Sequence, residues 1–556
     1  MDDGLVLRAD VFRPLEDGAY PVLMTMGPYA KGLAFQEGWK FNWDRLIARW
    51  PEVAEGSTNK YQNWETVDPE KWVPEGYVCL RVDSRGAGRS PGYLDPWSPR
   101  ETLDLYHCIE WAGVQPWSNG KVGISGISYY AMNQWHVAAL QPPHLTAMLV
   151  QEGAADYYRE FSRHGGILSG FLGTWYSRLQ ATVQHGRGEK SYHSHVTGEA
   201  VAGPETLTEE ELAANRTDVW GEVQSRQLID EHYLDRTADL SKVVTPFLST
   251  ANWGGQGLHP RGNIEGFLDA ASEQKWLEIH GDTHSSPFYT DYGRALQRRF
   301  FGHFLKGEDT GWESQPKVAL RVRYPGEVFV DRGEDEWPLA RTRWTKFFLD
   351  PATMSLTPEP ATGGPVSFEA LGEGVKFLSA PLEVATEITG PVAARLRLSS
   401  STSDADVFAC LVVYDPDGNE VTFQGSNDPR TPIGLGWLRA SHRKLDPEKT
   451  LPYRPFHTHD ELQPLTPGDP VDLDVEIWPT CLVIPAGYRI GLLIRGKDYD
   501  NGAETAPGAR YALRGIGPFI HEDPVDRPVE IFGGTSTVHF DEGAENYLLL
   551  PVVPPK

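Results

Sequence analysis

Gly123-Ile124-Ser125-Gly126-Ile127-Ser128-Tyr129-Tyr130 decides the reading of this chain. Trp117-Ser118-Asn119-Gly120-Lys121-Val122 precedes it, and a helical pattern from Ala131 to Leu140 follows. A turn, a short apolar strand, a Gly-x-Ser and a helix in that order are the sequence form of a nucleophile elbow. Such a turn exposes the serine hydroxyl above the sheet and aims a helix N-terminus at charge developing beside it. Gly126 supplies the side-chain-free position two residues before Ser128. The second small position of the usual Gly-x-Ser-x-Gly is taken by Tyr130, and Ala131 is the next small residue. Ser125 also has a glycine two residues before it, but it still lies inside the predicted strand. Ser128 is therefore the candidate nucleophile. The bland alternative is a Gly/Ser turn that only joins strand to helix.

Working outward, apolar strands alternate with helical patterns on both sides of the elbow. Leu5–Arg13, Pro21–Met26, Tyr77–Asp83, Leu145–Val150, Val243–Thr250 and Trp276–Ile279 read as strands. That alternation implies an α/β fold with a mostly parallel sheet covered on both faces. Residues 155–240 are rich in helix formers and charge, and read as a helical insertion lying over the strand ends as a cap. Beyond about residue 330, short alternating strands with Pro and Gly take over, as in Val407–Tyr414 and Tyr488–Ile494. This segment is predicted to be a jelly-roll-like β-sandwich. The expected division is 1–154 and 241–325 for the two parts of the α/β domain, 155–240 for the cap and 326–556 for the sandwich.

With 556 residues the chain is too long for one core, and 40% apolar residues make burial ample. A formal net charge of −26 disfavours nucleic acid and anionic membranes as partners. The four cysteines, Cys79, Cys108, Cys410 and Cys481, lack metal or redox spacing. They read as buried thiols in a reducing, cytoplasmic setting. No signal peptide or membrane span is legible. Neither metal nor cofactor is expected; His193–His195 and His457–His459 read as loop histidines. Gly86-Ala87-Gly88 lacks the Lys-Ser/Thr of a phosphate loop. The expected partner is a small-molecule substrate, and a homo-oligomer is left open.

The chain resembles the X-Pro dipeptidyl-peptidase and cocaine-esterase family of serine hydrolases over nearly its whole length. The residues that carry the likeness are Asp3–Pro14, Gly27-Pro28-Tyr29, Val82–Gly86, Gly126-Ile127-Ser128-Tyr129, Asp404-Ala405-Asp406 and Gly487–Ile490. The resemblance implies an α/β-hydrolase domain with a helical cap and a jelly roll, and hydrolysis of esters or amides through an acyl-enzyme. It also implies an oxyanion hole built from the Tyr29 hydroxyl and the Tyr129 backbone N–H. A phenol and the amide after the nucleophile suit that chemistry.

A serine hydroxyl needs a base. In this fold the histidine follows the last strand, where His280-Gly281-Asp282-Thr283-His284 stands. His284 matches the family's catalytic position, and His280 is the runner-up. The family's acid departs from pattern. Its loop reads Asn252-Trp253-Gly254-Gly255-Gln256-Gly257-Leu258-His259, without a carboxylate. Glu152, which directly follows the neighbouring strand, is the preferred orienting acid, with Glu265 and Asp282 as alternatives. Asp156 matches a family position that reads as structural. Asp83-Ser84-Arg85 is expected to form a carboxylate–guanidinium brace, and Gly436–Arg443 an interdomain staple. Two rival readings remain: an aminopeptidase-type X-Pro dipeptidyl peptidase, and a non-catalytic binding protein on a hydrolase scaffold.

Overall fold

The computed structural model describes residues 1–504, 507, 509 and 511–555. The first sheet is built from β1 (Ala9–Phe12), β2 (Tyr20–Gly27), β3 (Val78–Asp83), β4 (Ser118–Ile127) and β5 (Leu145–Gln151). A two-stranded hairpin, β6 (Arg163–His164) and β7 (Ile167–Leu168), stands apart from it. The sheet then continues with β8 (Phe247–Asn252), β9 (Lys275–His280), β10 (Val318–Tyr324) and β11 (Val328–Glu334). The strand order is β1-β3-β2-β4-β5-β8-β9-β10-β11. Neighbours from β3 to β10 run parallel, and only the two edge pairs, β1–β3 and β10–β11, are antiparallel. β11 carries this sheet past residue 325.

Alternation along each strand splits the apolar residues between two faces. Met24, Leu80, Ile124, Met148 and Phe247 lie in register across neighbouring strands and pack in one core with helices Pro99–Gly113 and Tyr129–Ala138. Leu23, Cys79, Leu149 and Leu248 face the other way, into an aromatic-rich core. Burial on both faces explains why these strands read as unbroken apolar runs. Truncating one such side chain to alanine costs about 2–5 kcal/mol.

Two long excursions leave the sheet at the strand C-terminal ends. One lies between β2 and β3 and includes helix Lys40–Arg49. The other lies between β5 and β8 and carries helices Phe171–Thr182, Glu209–Ala214, Val219–Ser225 and Glu231–Leu234. The chain then builds an all-β second body. Its eleven strands form one sheet. Val471–Ile484 and Tyr547–Val553 both pair with the long strand Thr386–Ser400, which makes the sheet closed and barrel-like.

Buried ion pairs lock the two bodies together. Asp526 accepts from Arg163 at 2.6 Å and from Arg439 at 2.8 Å, and Arg439 also pairs with Asp406. The segment 436–443 thus does contact the first body, since the Arg439 N–H donates to Gly165 O at 2.8 Å. Asp83 does not brace Arg85. Its carboxylate accepts the Lys31 and Arg89 backbone N–H groups, while Arg85 turns to Asp104 and Asp3. The tight turn after β3 brings donors from flanking loops to Asp83 and points Arg85 back along helix Pro99–Gly113. Asp156 caps the turn Tyr157–Ser162 and pairs with Arg159 at 2.7 Å. Among the described residues, no helix is long and apolar enough to cross a membrane.

Candidate active site

Ser128 ends β4 and opens helix Tyr129–Ala138 with φ 56° and ψ −112°. This left-handed backbone is strained for a residue with a side chain. The surroundings enforce it: Ser128 N–H donates to Gln151 O at 3.0 Å, and Ile127 N–H to Glu65 O at 3.2 Å. A Cβ on Gly126 would stand 2.4 Å from Tyr130 Cβ, and one on Gly27 would stand 2.7 Å from the Tyr130 ring. Two glycines therefore clear the space that Tyr130 takes in place of the usual small residue. Ser125 is buried within β4, and Ser128 lines the pocket.

That pocket has a volume of about 300 Å³. Trp39, Trp64, Phe171 and Trp175 give it an aromatic wall, and Glu65, His259 and His284 give it a polar floor beside Ser128. Both excursions contribute, the shorter through Trp39 and Trp64 and the longer through Phe171 and Trp175.

Tyr29 follows β2 and lines the same pocket. Its hydroxyl oxygen accepts from Trp175 Nε1 at 3.1 Å, which fixes the phenol and leaves its own proton to donate. Burial first, then the Glu65 charge, push its pKa well above the ordinary phenol value, so that proton is held. Tyr129 sends its side chain away from the pocket, to Glu101, and contributes only its backbone N–H. As the first helical residue it has no carbonyl partner within its own helix.

His284 lies on the loop after β9, with its backbone N–H donating to Ser426 O at 2.9 Å. Its Nδ1 is 2.8 Å from Glu152 Oε2, and its Nε2 is 2.9 Å from Glu65 Oε1. Glu152 directly follows β5 with φ 46° and is fully buried. Ser426 Oγ donates to Glu152 Oε2 at 2.9 Å and Asn252 Nδ2 to Oε1 at 3.1 Å. Burial disfavours the Glu152 charge, but His284 and His280 outweigh it and hold the carboxyl below its usual range. For His284 the balance also favours charge: burial opposes the imidazolium, yet Glu152 and Glu65 raise it to about 10. Burial lifts Glu65 to about 7, against the pull of His284.

The alternatives are held by other partners, although His280 Nε2 also lies 3.8 Å from Glu152 Oε1. Glu265 sits in helix Pro260–Asp269 and pairs with Arg454 at 2.7 Å. Asp282 pairs with Arg49 at 2.9 Å, and His280 Nδ1 with Glu278 at 2.7 Å. The loop after β8 has no room for an acid at Gly254, where a Cβ would stand 2.3 Å from Gly425 Cα. The second body's loop occupies that space and supplies Ser426 to Glu152 instead.

Two residues in the site were not singled out from the sequence. His259 Nε2 lies 3.1 Å from Ser128 Oγ, and its ring stacks on that of His284 at 14°, with centroids 5.6 Å apart. It ends the very loop in which a carboxylate was sought. Glu65 belongs to the excursion after β2, in Asn63-Trp64-Glu65-Thr66, which carries no motif. The bond from Ile127 N–H to its carbonyl joins it to the elbow, and Arg81 and Tyr289 anchor the segment on either side.

Comparison with known proteins gives concordant matches. The sequence profile of the X-Pro dipeptidyl-peptidase (S15 family) matches residues 3–286. That of the X-Pro dipeptidyl-peptidase C-terminal non-catalytic domain matches residues 310–549. A cocaine esterase of Rhodococcus sp. (strain MB1 Bresler) is 26% identical, over 91% of this chain and 91% of its own. The crystal structure of a CocE/NonD family hydrolase from Staphylococcus aureus is 31% identical, with a TM-score of 0.86, covering 100% of this chain and 92% of that one. An aminopeptidase from a Thaumarchaeota archaeon, 14% identical, shares the fold with a TM-score of 0.71, covering 100% of this chain and 95% of that one.

Proposed function

The chain belongs to the X-Pro dipeptidyl-peptidase (S15) family and is a serine hydrolase, and from that premise we propose how this site cleaves an acyl ester or amide. Ser128 attacks the carbonyl carbon. His284 Nε2 takes the hydroxyl proton and later returns it to the leaving group. Glu152, on Nδ1, orients the ring and stabilises the imidazolium. The Tyr29 hydroxyl and the Tyr129 N–H receive the oxyanion. Water then repeats the sequence on the acyl-enzyme. In the unliganded site Glu65 holds Nε2, so the cycle begins from the neutral ring, once the Nε2 proton has passed to Glu65 and that lone pair is open to the Ser128 hydroxyl.

In this reading the first body is an α/β-hydrolase domain, residues 155–240 are its cap and the closed sheet is a jelly roll. The cap's Phe171 and Trp175 face the pocket and would shape the acyl site. The observation that carries the proposal is the strained Ser128 at a strand-to-helix turn, in one pocket with a histidine whose Nδ1 meets a buried carboxylate.

A fluorophosphonate probe tests it. The expected result is a single adduct on Ser128, lost in Ser128→Ala and in heat-denatured protein. Folded protein that remains unlabelled would favour a binding role on the same scaffold.

A further inference from the structure

We propose that His259 serves the reaction as a neutral hydrogen-bond donor to the Ser128 oxygen, and is not the base that removes the serine's proton. The proposal rests on the reading of Ser128 and His284 given above.

The tautomer follows from the ring's other nitrogen. Ala154 N–H donates to His259 Nδ1 at 3.3 Å. A backbone N–H can only donate, so Nδ1 presents its lone pair and the ring proton lies on Nε2. Nε2 is the atom 3.1 Å from Ser128 Oγ, and the bond therefore runs from nitrogen to oxygen. The serine's own proton stays free for another acceptor. For His259 to act as base, its proton would have to move to Nδ1, where it would face the Ala154 N–H in a buried site.

Charge points the same way. The acid that would stabilise an imidazolium, Glu152, stands at Nδ1 of His284. The His284 ring lies parallel to His259, and a second cation stacked on it would be repelled. Burial, and then the His284 charge, push His259 down to about 3, against a smaller pull from Glu152.

The placement is rigid. Pro260 starts the next helix directly after His259, and Arg261 pairs with Glu160 and Glu476. Asn263 Oδ1 accepts from Gly153 N–H at 2.9 Å. The helix therefore holds the Ala154 amide and the His259 ring as one unit.

During attack, the Ser128 O–H bond breaks and its proton passes to His284 Nε2. The Oγ–carbon bond forms, and the carbonyl π pair moves to the oxyanion. Negative charge on Oγ peaks as its proton leaves, where the His259 N–H is already aimed. In deacylation the Oγ–carbon bond breaks, its pair returns to Oγ, and His284 supplies the proton. His259 keeps its own proton throughout.

The test compares His259→Gln, which keeps a donor but cannot titrate, with His259→Leu, which has none. Each is assayed for aryl-ester turnover and fluorophosphonate labelling, with melting temperatures as a check on folding. His259→Leu is expected to lose about 10²-fold in kcat and labelling rate, and His259→Gln to recover to within about tenfold of wild type. In ¹⁵N-histidine-labelled wild type, the His259 ring is expected to show the neutral Nε2–H tautomer from about pH 5 to 9. An Nδ1–H tautomer would overturn the proposal. So would equal losses in the two variants, or a His259→Gln enzyme as inert as Ser128→Ala while His284→Gln still labels. Absence of labelling in wild type would instead fail the nucleophile assignment, and the ¹⁵N spectrum would still decide the tautomer.

Discussion

Glu65 Oε1 stands 2.9 Å from His284 Nε2, the atom that receives the serine's proton in the proposed mechanism. With Glu152 on Nδ1, the imidazole is held between two carboxylates, and both ring nitrogens donate. A ring in that state is an acid with no lone pair to offer. The resting site is thus poised in its protonated form, and Glu65 controls how readily it leaves that form.

Replacing Glu65 by Gln should move the acidic limb of kcat/KM to lower pH. His284 works as a base only when neutral. The Glu65 charge favours its cation, adding to Glu152 in raising it to about 10. Removing one of the two negative charges lowers that value, so the neutral ring appears at lower pH. A shift of about one pH unit or more is expected. A pH–rate profile of Glu65→Gln that overlays wild type would show that the two groups do not share a proton during turnover.

Ser128→Ala should lower turnover of an aryl ester by about 10⁴-fold or more while the melting temperature holds. The substitution removes the hydroxyl that lies 3.1 Å from His259 Nε2. If Ser125→Ala were inactive and Ser128→Ala active, the nucleophile would lie within β4.

Tyr29→Phe should reduce kcat by about 10²-fold with little change in KM, since the lost donor acts on charge that develops in the transition state. The ring packs among Trp39, Tyr129 and Tyr130, and phenylalanine keeps those contacts. An unchanged kcat would assign the hydroxyl to holding Trp175.

Glu152→Gln should cost about 10³- to 10⁴-fold in kcat, because an amide no longer stabilises the imidazolium at Nδ1. Glu265→Gln is the matched control. Glu265 meets Arg454 at the contact between the two bodies, so its loss should show in melting temperature and leave kcat near wild type. The opposite ranking in kcat would remove Glu152 from the mechanism.

The parts of the molecule legible in the sequence are those with local signals. The elbow at Ser128 needs a strand, a glycine and a helix in succession, and all are contiguous. The strands could be located because burial on both faces makes them continuous apolar runs. Glu152 could be chosen because it leaves a strand at its C-terminal end. What escaped was set by contacts far apart in the chain. Glu65 reaches the elbow through a backbone bond to Ile127, on a segment anchored by Arg81 and Tyr289. His259 is fixed by Ala154, and neither the residue nor its spacing sets it apart from an ordinary loop histidine. Helix Lys40–Arg49 and Trp64 wall the pocket from a segment that carries no motif. Arg85 finds Asp104, and not Asp83, because the turn geometry after β3 cannot be read from composition.

The loop at Gly425 and Ser426 gives the second body a part in timing. Ser426 anchors both the His284 backbone and the Glu152 carboxylate, yet it is translated well over a hundred residues after either. While the ribosome is still adding the barrel, the nascent first body holds its serine, its histidine and its acid without the contact that sets the last two against each other. The acid and the histidine are therefore steadied only once the second body has been made, and Asn427 and Leu513 of that body complete the lining of the pocket.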